Sequence, residues 1–467
     1  GGIILNTFLI VLNVIILMIL ISLLIVMHKK HVTFSKRVFT GLGLGIVFGL
    51  ILHFTYGPTS EVVLKSVDWF SIAGSGYVKL LQMVAMPLVL ISIVSAFTKV
   101  VAGKNFGKMA GLILLILVGT TAIAASVGIA SALSFNLDAT QLVQGDAEQA
   151  RGEEIVQKSN DIGDKTMPQQ ILDLLPANPF LDLTGARSSS TIAVVIFAAF
   201  LGLGYLAVKR KDEKTAALIK TGIDAIYALI MQIVKIVLRL TPFGILAIMT
   251  STIATSDFGA IYNMGKFVIA SYVALAVMFV VHLIIVALTG MSPITYIKKV
   301  SPTLLFAFTS RSSAGTLPLN IQTQTKRLGV SEGIANFAGS FGVSIGQNGC
   351  AGVYPAMLAI MIAPSVDINP FDPGFIATLI LVVAISSFGV AGVGGGATFA
   401  AIIVLSTMNL PVALAGVLIS VEPLIDMGRT ALNVNDSMVA GVTTARITGE
   451  LDKDVYNSKE AQDLAEV

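Results

Sequence analysis

Residues 3–27 carry no charged side chain, and predominantly apolar runs recur at about 38–56, 69–98, 108–135, 188–208, 221–252, 264–289, 333–363 and 410–440. Coiled as a helix at about 1.5 Å per residue, each run is long enough to cross roughly 30 Å of hydrocarbon. Composition agrees. Of 467 residues, 55% are hydrophobic and 12% charged, whereas a soluble domain is about 25% charged. The class is an all-α polytopic membrane protein. A nucleic-acid binder and a disulfide scaffold are excluded, since the net charge is only +3 and Cys350 is the single cysteine. The first run exceeds a signal-peptide core and ends in His28-Lys29-Lys30, so it reads as a transmembrane helix. The opening Gly1-Gly2 reads as a processing scar.

Basic residues in short loops set the expected orientation. Loop 28–37 holds Lys29, Lys30, Lys36 and Arg37; loop 99–108 holds Lys99, Lys104 and Lys108. Loop 209–220 holds Lys209, Arg210, Lys211, Lys214 and Lys220; loop 290–299 holds Lys298 and Lys299. The alternate loops hold almost none, so the basic ones are expected in the cytoplasm, with the N-terminus outside and the C-terminus inside. Residues 136–187, with nine acidic and four basic side chains and three prolines, read as a long polar loop on the outer face, either a solvated insertion or a ligand-binding lid.

Two segments resist reading as simple spans. Residues 293–326 hold an apolar arm and then Thr309-Ser310-Arg311-Ser312-Ser313-Ala314-Gly315-Thr316-Leu317-Pro318, between the basic flanks Lys298/Lys299 and Lys326/Arg327. They are too short to cross twice, so a hairpin re-entering from the cytoplasm is expected, its non-helical tip buried in protein or lining a wet cavity. Residues 371–409 repeat the pattern from outside around Ser386-Ser387-Phe388-Gly389-Val390-Ala391-Gly392-Val393-Gly394-Gly395-Gly396. Each hairpin precedes one helix, 333–363 and 410–448. A hairpin and helix occurring twice with opposite entry sides is an inverted repeat with broken helices, the plan of a secondary transporter with a midplane site.

The last helix carries the strongest chemical signal. Glu422, Asp426, Arg429 and Asn433 follow i, i+4, i+7, i+11 and fall within about 60° of one another on a helix. Each ionised side chain at mid-bilayer costs about 2.5–3.5 kcal/mol on insertion scales, so the stripe needs partners, water or substrate. A buried ion pair of Asp426 with Arg429 is one reading, but it leaves Glu422, Asn433 and Asp436 unexplained. In the functional reading Asp426 receives a substrate ammonium, Arg429 clamps a carboxylate through two N–H groups, and Asn433 donates its amide to a second carboxylate. His282, inside an apolar helix, is expected to be a packed core residue. No metal-ligand cluster, nucleotide-binding loop or nucleophile triad is present in the sequence, so no metal, cofactor or enzymatic activity is expected. Transport would run on ion or solute gradients.

These residues resemble the dicarboxylate/amino acid:cation symporter family, which includes glutamate transporter homologues, over about 36–450. The carriers are the serine-rich tip with Gly315-Thr316-Leu317-Pro318, the glycine-rich tip at 389–396, and Asp426-Met427-Gly428-Arg429-Thr430 followed by Asn433. Within the family, the extra N-terminal span and Gly346-Gln347-Asn348-Gly349-Cys350 are most similar to the bacterial L-cystine branch. The resemblance implies a glutamate-transporter-homologue-like fold with inverted repeats, two re-entrant hairpins and an extra N-terminal transmembrane helix. It implies a homotrimer in the bacterial cell membrane working as an elevator. The expected organisation is an N-terminal helix (1–30), scaffold spans (31–100), a transport-domain helix (101–135), an extracellular loop (136–187) and further scaffold spans (188–256). A transport domain (257–450) and a cytoplasmic tail (451–467) follow. That domain would comprise a helix, hairpin 293–326, helix 333–363, hairpin 371–409 and helix 410–448. By the same resemblance Asp426 takes the amino group, Arg429 the far end of the substrate and Asn433 a carboxylate, to which Ser313 also offers its backbone N–H. Val393 and Gly394 close the outer lid. Ser312, Ala314, Cys350 and Thr430 complete the expected substrate-binding set.

Departures from the family pattern bear on coupling. Where sodium-coupled relatives place Asn-Met-Asp-Gly-Thr this chain has Gly346-Gln347-Asn348-Gly349-Cys350, so the ligating Asp is Asn348 and the ligating Asn is Gly346. Two further sodium positions fall on Ser437 and Leu117. The expectation is a proton-coupled, sodium-independent importer of an amino acid with a second carboxylate, foremost L-cystine, with Glu422 the leading proton carrier and Asp436 the second. Expected partners are the amino acid, protons, the lipid bilayer and the other copies of the trimer. A glutamate/aspartate or C4-dicarboxylate symporter stays open as an alternative, as does an anion channel.

Overall fold

The structure, a computed structural model, describes residues 2–99, 106–141, 152–157, 159–160, 167–187, 190–343, 345–387, 396–418 and 421–459. The described residues are helical, without a strand. In chain order the helices are α1 (Gly2–Lys29), α2 (Phe34–Tyr56), α3 (Glu61–Lys99), α4 (Phe106–Ser134), α5 (Met167–Asp173), α6 (Pro179–Leu183), α7 (Ser190–Lys211), α8 (Glu213–Leu238), α9 (Thr241–Thr255) and α10 (Phe258–Asn263). There follow α11 (Gly265–Leu288), α12 (Pro293–Ser310), α13 (Ser313–Gln322), α14 (Glu332–Gly342), α15 (Tyr354–Ile362), α16 (Pro373–Ser386), α17 (Gly396–Thr407), α18 (Glu422–Thr448) and α19 (Lys453–Asn457). Among the described residues seven helical stretches are long and apolar enough to cross a membrane: Ile4–Lys29, Lys36–Tyr56, Phe106–Ser134, Ala193–Lys211, Glu213–Ile233, Gly265–Leu288 and Asn348–Val366.

The chain divides into two compact units. One holds α1, α2, α3 as far as Val84, the end of α8 from Met231, α9, and α10 as far as Tyr262. Its core is Leu24, Leu52, Val63, Phe70 and Leu246. Small residues let α2 and α9 pack backbone to backbone, as membrane helices do where water supplies no driving force. Gly41, Gly45 and Gly49 of α2 recur every fourth residue, and a Cβ on them would lie 2.6–2.8 Å from Pro242 O, Leu246 O or Ile253 Cβ of α9. Buried polar groups pair within this unit: Asn13 Nδ2 donates to Ser66 Oγ (3.0 Å), and Tyr77 Oη shares a hydrogen bond with Thr241 Oγ1 (2.9 Å).

The second unit, residues 85–230 and 263–462, is built around α18. Helices α4, α11, α12, α13 and α14 and the wide helical turn Asn348–Val353 all pack on it. α12 and α13 are joined by a two-residue reversal. Arg311 ends α12 in the left-handed region (φ 52°), and Ser312 caps α13 by accepting the Gly315 N–H at 2.9 Å. Side-chain capping satisfies one of the backbone donors left open at a helix start. This corrects the expected long non-helical tip: Ser313 through Gln322 are helical and buried. α16 and α17 form the arms of the second expected hairpin. Its tip, with Val393 and Gly394, lies outside the described residues.

Three expected helices are broken. The run 221–252 is split at Arg239-Leu240, because Thr241-Pro242 starts a new helix where proline's missing N–H is harmless. The run 333–363 ends its first helix at Gly342, passes Gly346 with φ +65°, and resumes through the wide turn into α15. The run 410–448 begins with the tight turn Val412–Leu418 before α18 starts at Glu422. The polar loop also holds the short helices α5 and α6, the latter capped by Asn178 and followed by an Arg187–Asp182 ion pair at 2.7 Å.

Candidate functional site

The stripe on α18 meets the reversal between α12 and α13, and four charges stand in a row. Arg311 Nε lies 3.3 Å from Asp426 Oδ2, Asp426 Oδ1 lies 3.4 Å from Arg429 Nη2, and the same Nη2 contacts Glu422 Oε1. The signs alternate: plus, minus, plus, minus. Exposure rises outward from Arg429, which is 1% exposed, to Asp426 at 20%, Glu422 at 25% and Arg311 at 32%. The row is thus anchored inside the protein and open at both ends. The Arg429 guanidinium also lies 4.2 Å from the Tyr354 ring centroid, a face that attracts cations. Its Nε and Nη1 have no hydrogen-bond partner among the described residues. Such orphan donors on a buried cation are costly; Nε–H and Nη1–H point to different edges of the guanidinium, so a carboxylate meeting either of them would relieve part of that cost.

Asn433, one turn on from Arg429, is held by its oxygen. Oδ1 accepts from the backbone N–H groups of Gly349 (2.7 Å) and Cys350 (3.2 Å). That leaves Nδ2 as the donor end, with Cys350 Sγ at 3.1 Å and Gln347 Oε1 at 3.5 Å. The wide turn approaches α18 this closely because residue 349 is glycine: a Cβ there would sit 2.5 Å from Arg429 O. Ser312, Ser313, Ala314 and Thr430 are buried, and α13 packs on α18. Tyr272 Oη donates to Leu424 O and ties α11 to the start of α18.

A second polar cluster lies farther along α18. Asp436 Oδ1 accepts from Thr120 Oγ1 (2.9 Å), and Oδ2 accepts from Asn348 Nδ2 (3.1 Å). His282 Nε2 is 2.8 Å from Asn348 Oδ1 and 3.3 Å from Asp436 Oδ1. Asn435 Nδ2 faces His282 Nδ1 at 2.9 Å, while its Oδ1 accepts from Tyr296 Oη at 2.8 Å. With an amide donor on Nδ1, the ring proton belongs on Nε2, where it bonds to Asn348 and Asp436. Asp436, His282, Asn348, Asn435 and Tyr296 are all fully buried. His282 is inside the protein as expected, but in a polar network. A lone imidazole in an apolar helix is the sequence sign of it, but the other members of the network lie on α4, α12, α18 and the wide turn. Arg311 joins the site although the sequence assigns it no role; a charge at the apex of an apolar hairpin is the available sign.

The positions expected above to stand where sodium-coupled relatives hold their ligands make other contacts. Asn348 turns its amide N–H toward Asp436. Ser437 Oγ donates to Ala338 O (2.8 Å) and accepts from Asn320 Nδ2 (2.9 Å). Gly346 lies against the backbone of Leu117. Among the described residues no three His, Cys, Asp or Glu side chains converge as a metal site.

Residues 34–447 match the sodium:dicarboxylate symporter family. The chain belongs to this family. It is 65% identical over 453 residues to an L-cystine uptake protein, TcyP, of Bacillus licheniformis, covering 97% of this chain and 98% of that protein. It is 65% identical over 454 residues to the protein of the same name from Bacillus subtilis, with the same coverage. With that of Bacillus thuringiensis it is 61% identical over 457 residues, 98% of each. Together with its membrane-length helices, membership of this family makes the chain a multi-pass cell-membrane transporter for a small molecule.

Proposed function

We propose that this protein imports L-cystine across the bacterial cell membrane as a proton-coupled, sodium-independent symporter, a homotrimer whose transport domain moves as an elevator. The observation that carries the reading is Arg429: a buried guanidinium with two unpartnered N–H groups, flanked by Asp426 for an ammonium and by Asn433, whose Nδ2 can donate to a carboxylate. That set fits an amino acid with a second carboxylate. The uptake proteins at 61–65% identity are named for L-cystine.

Sodium independence is supported by the missing oxygens. A bare sodium ion takes hard oxygen ligands, preferably anionic ones. Here the corresponding positions are an amide donating toward Asp436, a glycine, a committed serine hydroxyl and a leucine. Of the two carboxylates expected to carry the proton, the packing favours Asp436. Glu422 is already the counter-ion of Arg429, whereas Asp436 is buried with neutral hydroxyl and amide donors and the His282 ring as its neighbours. A proton on that carboxylate removes a charge from a unit that must cross lipid, where charge is expensive. Competition against labelled L-cystine uptake tests the substrate. Unlabelled cystine should displace label far below the concentration needed for aspartate, glutamate or succinate. Displacement by aspartate at equal or lower concentration would favour the dicarboxylate reading.

A further inference from the structure

The import reading uses three substrate groups: one ammonium on Asp426 and carboxylates on Arg429 and Asn433. A disulfide-linked amino acid has a fourth, a second ammonium, and the site has an acid still unassigned. We infer that Glu422 receives this second ammonium, so that Glu422 and Arg429 together form a subsite for the substrate's second amino-acid head. The site is then a receptor for a double zwitterion.

Three observations carry the inference, which rests on the import reading above. First, the row Arg311, Asp426, Arg429, Glu422 alternates in sign, with successive contacts at 3.3 and 3.4 Å and a closer third between Arg429 and Glu422. Two positive and two negative groups sum to zero. A double zwitterion also has two of each and sums to zero, so its binding exchanges internal ion pairs for ion pairs with the ligand and leaves the buried site neutral. Glutamate brings a net negative charge and leaves one protein acid facing no ammonium. Second, the spacing fits. Glu422 and Asp426 are four residues apart on one helix face, about 6 Å along the axis. The Cα atoms of two disulfide-linked amino-acid halves lie about 4.4–6.8 Å apart, and each carries its own ammonium. Two ammoniums so spaced meet two carboxylates so spaced. Third, Glu422 is 25% exposed while Arg429 is 1% exposed. The acid is reachable by a ligand, and the guanidinium beneath it is buried, with Nε and Nη1 unpartnered among the described residues.

The test compares two ligands that differ only in the second ammonium. They are L-cystine and the mixed disulfide of L-cysteine with 3-mercaptopropionate, which keeps both carboxylates and the first ammonium. Their affinities are measured by competition on the purified, reconstituted full-length protein. Wild type should prefer cystine by about 10- to 100-fold, as expected when one member of a largely desolvated charge pair is removed. In Glu422→Gln the ratio should fall toward one, and Glu422→Asp should recover part of it. Both ligands present the same group to Arg429, so an indirect effect through that residue cancels in the ratio. Equal affinity of the two ligands for wild type overturns the inference, and that measurement decides even if a variant does not assemble. A ratio unchanged in Glu422→Gln also overturns it. If wild type binds no cystine, the import reading itself fails. If it binds both ligands equally, only the second-head subsite is lost.

Discussion

Arg429 is the residue on which the site depends. It is buried, in contact with Glu422, 3.4 Å from Asp426, and over the face of Tyr354. Arg429→Ala removes the carboxylate receptor and leaves two acids without their shared cation. Uptake should fall by about 30-fold or more, since losing one partner of a buried charge pair costs about 2–5 kcal/mol. Asp426→Asn keeps the shape and removes the ammonium partner, with a loss of similar order. Radiolabelled uptake normalised to folded protein by size-exclusion chromatography checks both, and normal cystine uptake by either variant would contradict these assignments. The stripe itself is legible in the sequence, because a helix period turns i, i+4, i+7 and i+11 into one face. The part played by Arg311 is not, because its closeness to Asp426 depends on the reversal at Ser312 that joins two helices. The polar surroundings of His282 are hidden for a similar reason: Thr120, Asn348, Asn435 and Tyr296 come together from separate parts of the chain.

At the scale of elements, the lengths of apolar runs predict the helices well and their breaks poorly. On average the runs 221–252 and 333–363 are apolar enough to read as single spans, although Arg239, Pro242 and the polar, glycine-rich Gly346-Gln347-Asn348-Gly349 lie inside them. The breaks come from Pro242 at a helix start and from Gly346 in a left-handed conformation. The glycines of α2 make a separate, testable contribution. A Cβ at position 45 would stand 2.8 Å from both Leu246 O and Met249 Cβ, which backbone and a packed side chain cannot both relieve. Gly45→Val should therefore destabilise the protein by about 1–3 kcal/mol, the usual cost of overpacking. Gly43, where an added Cβ would meet nothing within 4 Å, is the control, and Gly43→Val should be tolerated. Melting temperatures of the two variants in the same detergent compare them; equal temperatures would contradict the close packing of α2 on α9 as the reason for glycine at position 45.

For the whole molecule, family membership leaves the coupling ion to be decided by this chain's own residues. The family is named for sodium, yet the positions expected to stand where sodium-coupled relatives hold their ligands are Asn348, Gly346, Ser437 and Leu117. The fully buried Asp436 stands beside two of them with His282 as its neighbour. The most direct measurement is uptake of labelled L-cystine into proteoliposomes with imposed ion gradients, for wild type and Asp436→Asn. An inward proton gradient in sodium-free buffer should drive accumulation in the wild type above the equilibrated level. In Asp436→Asn that gradient should drive none, while exchange of internal for external cystine persists. Accumulation that requires sodium, or an unchanged response of Asp436→Asn to the proton gradient, would contradict proton coupling through Asp436.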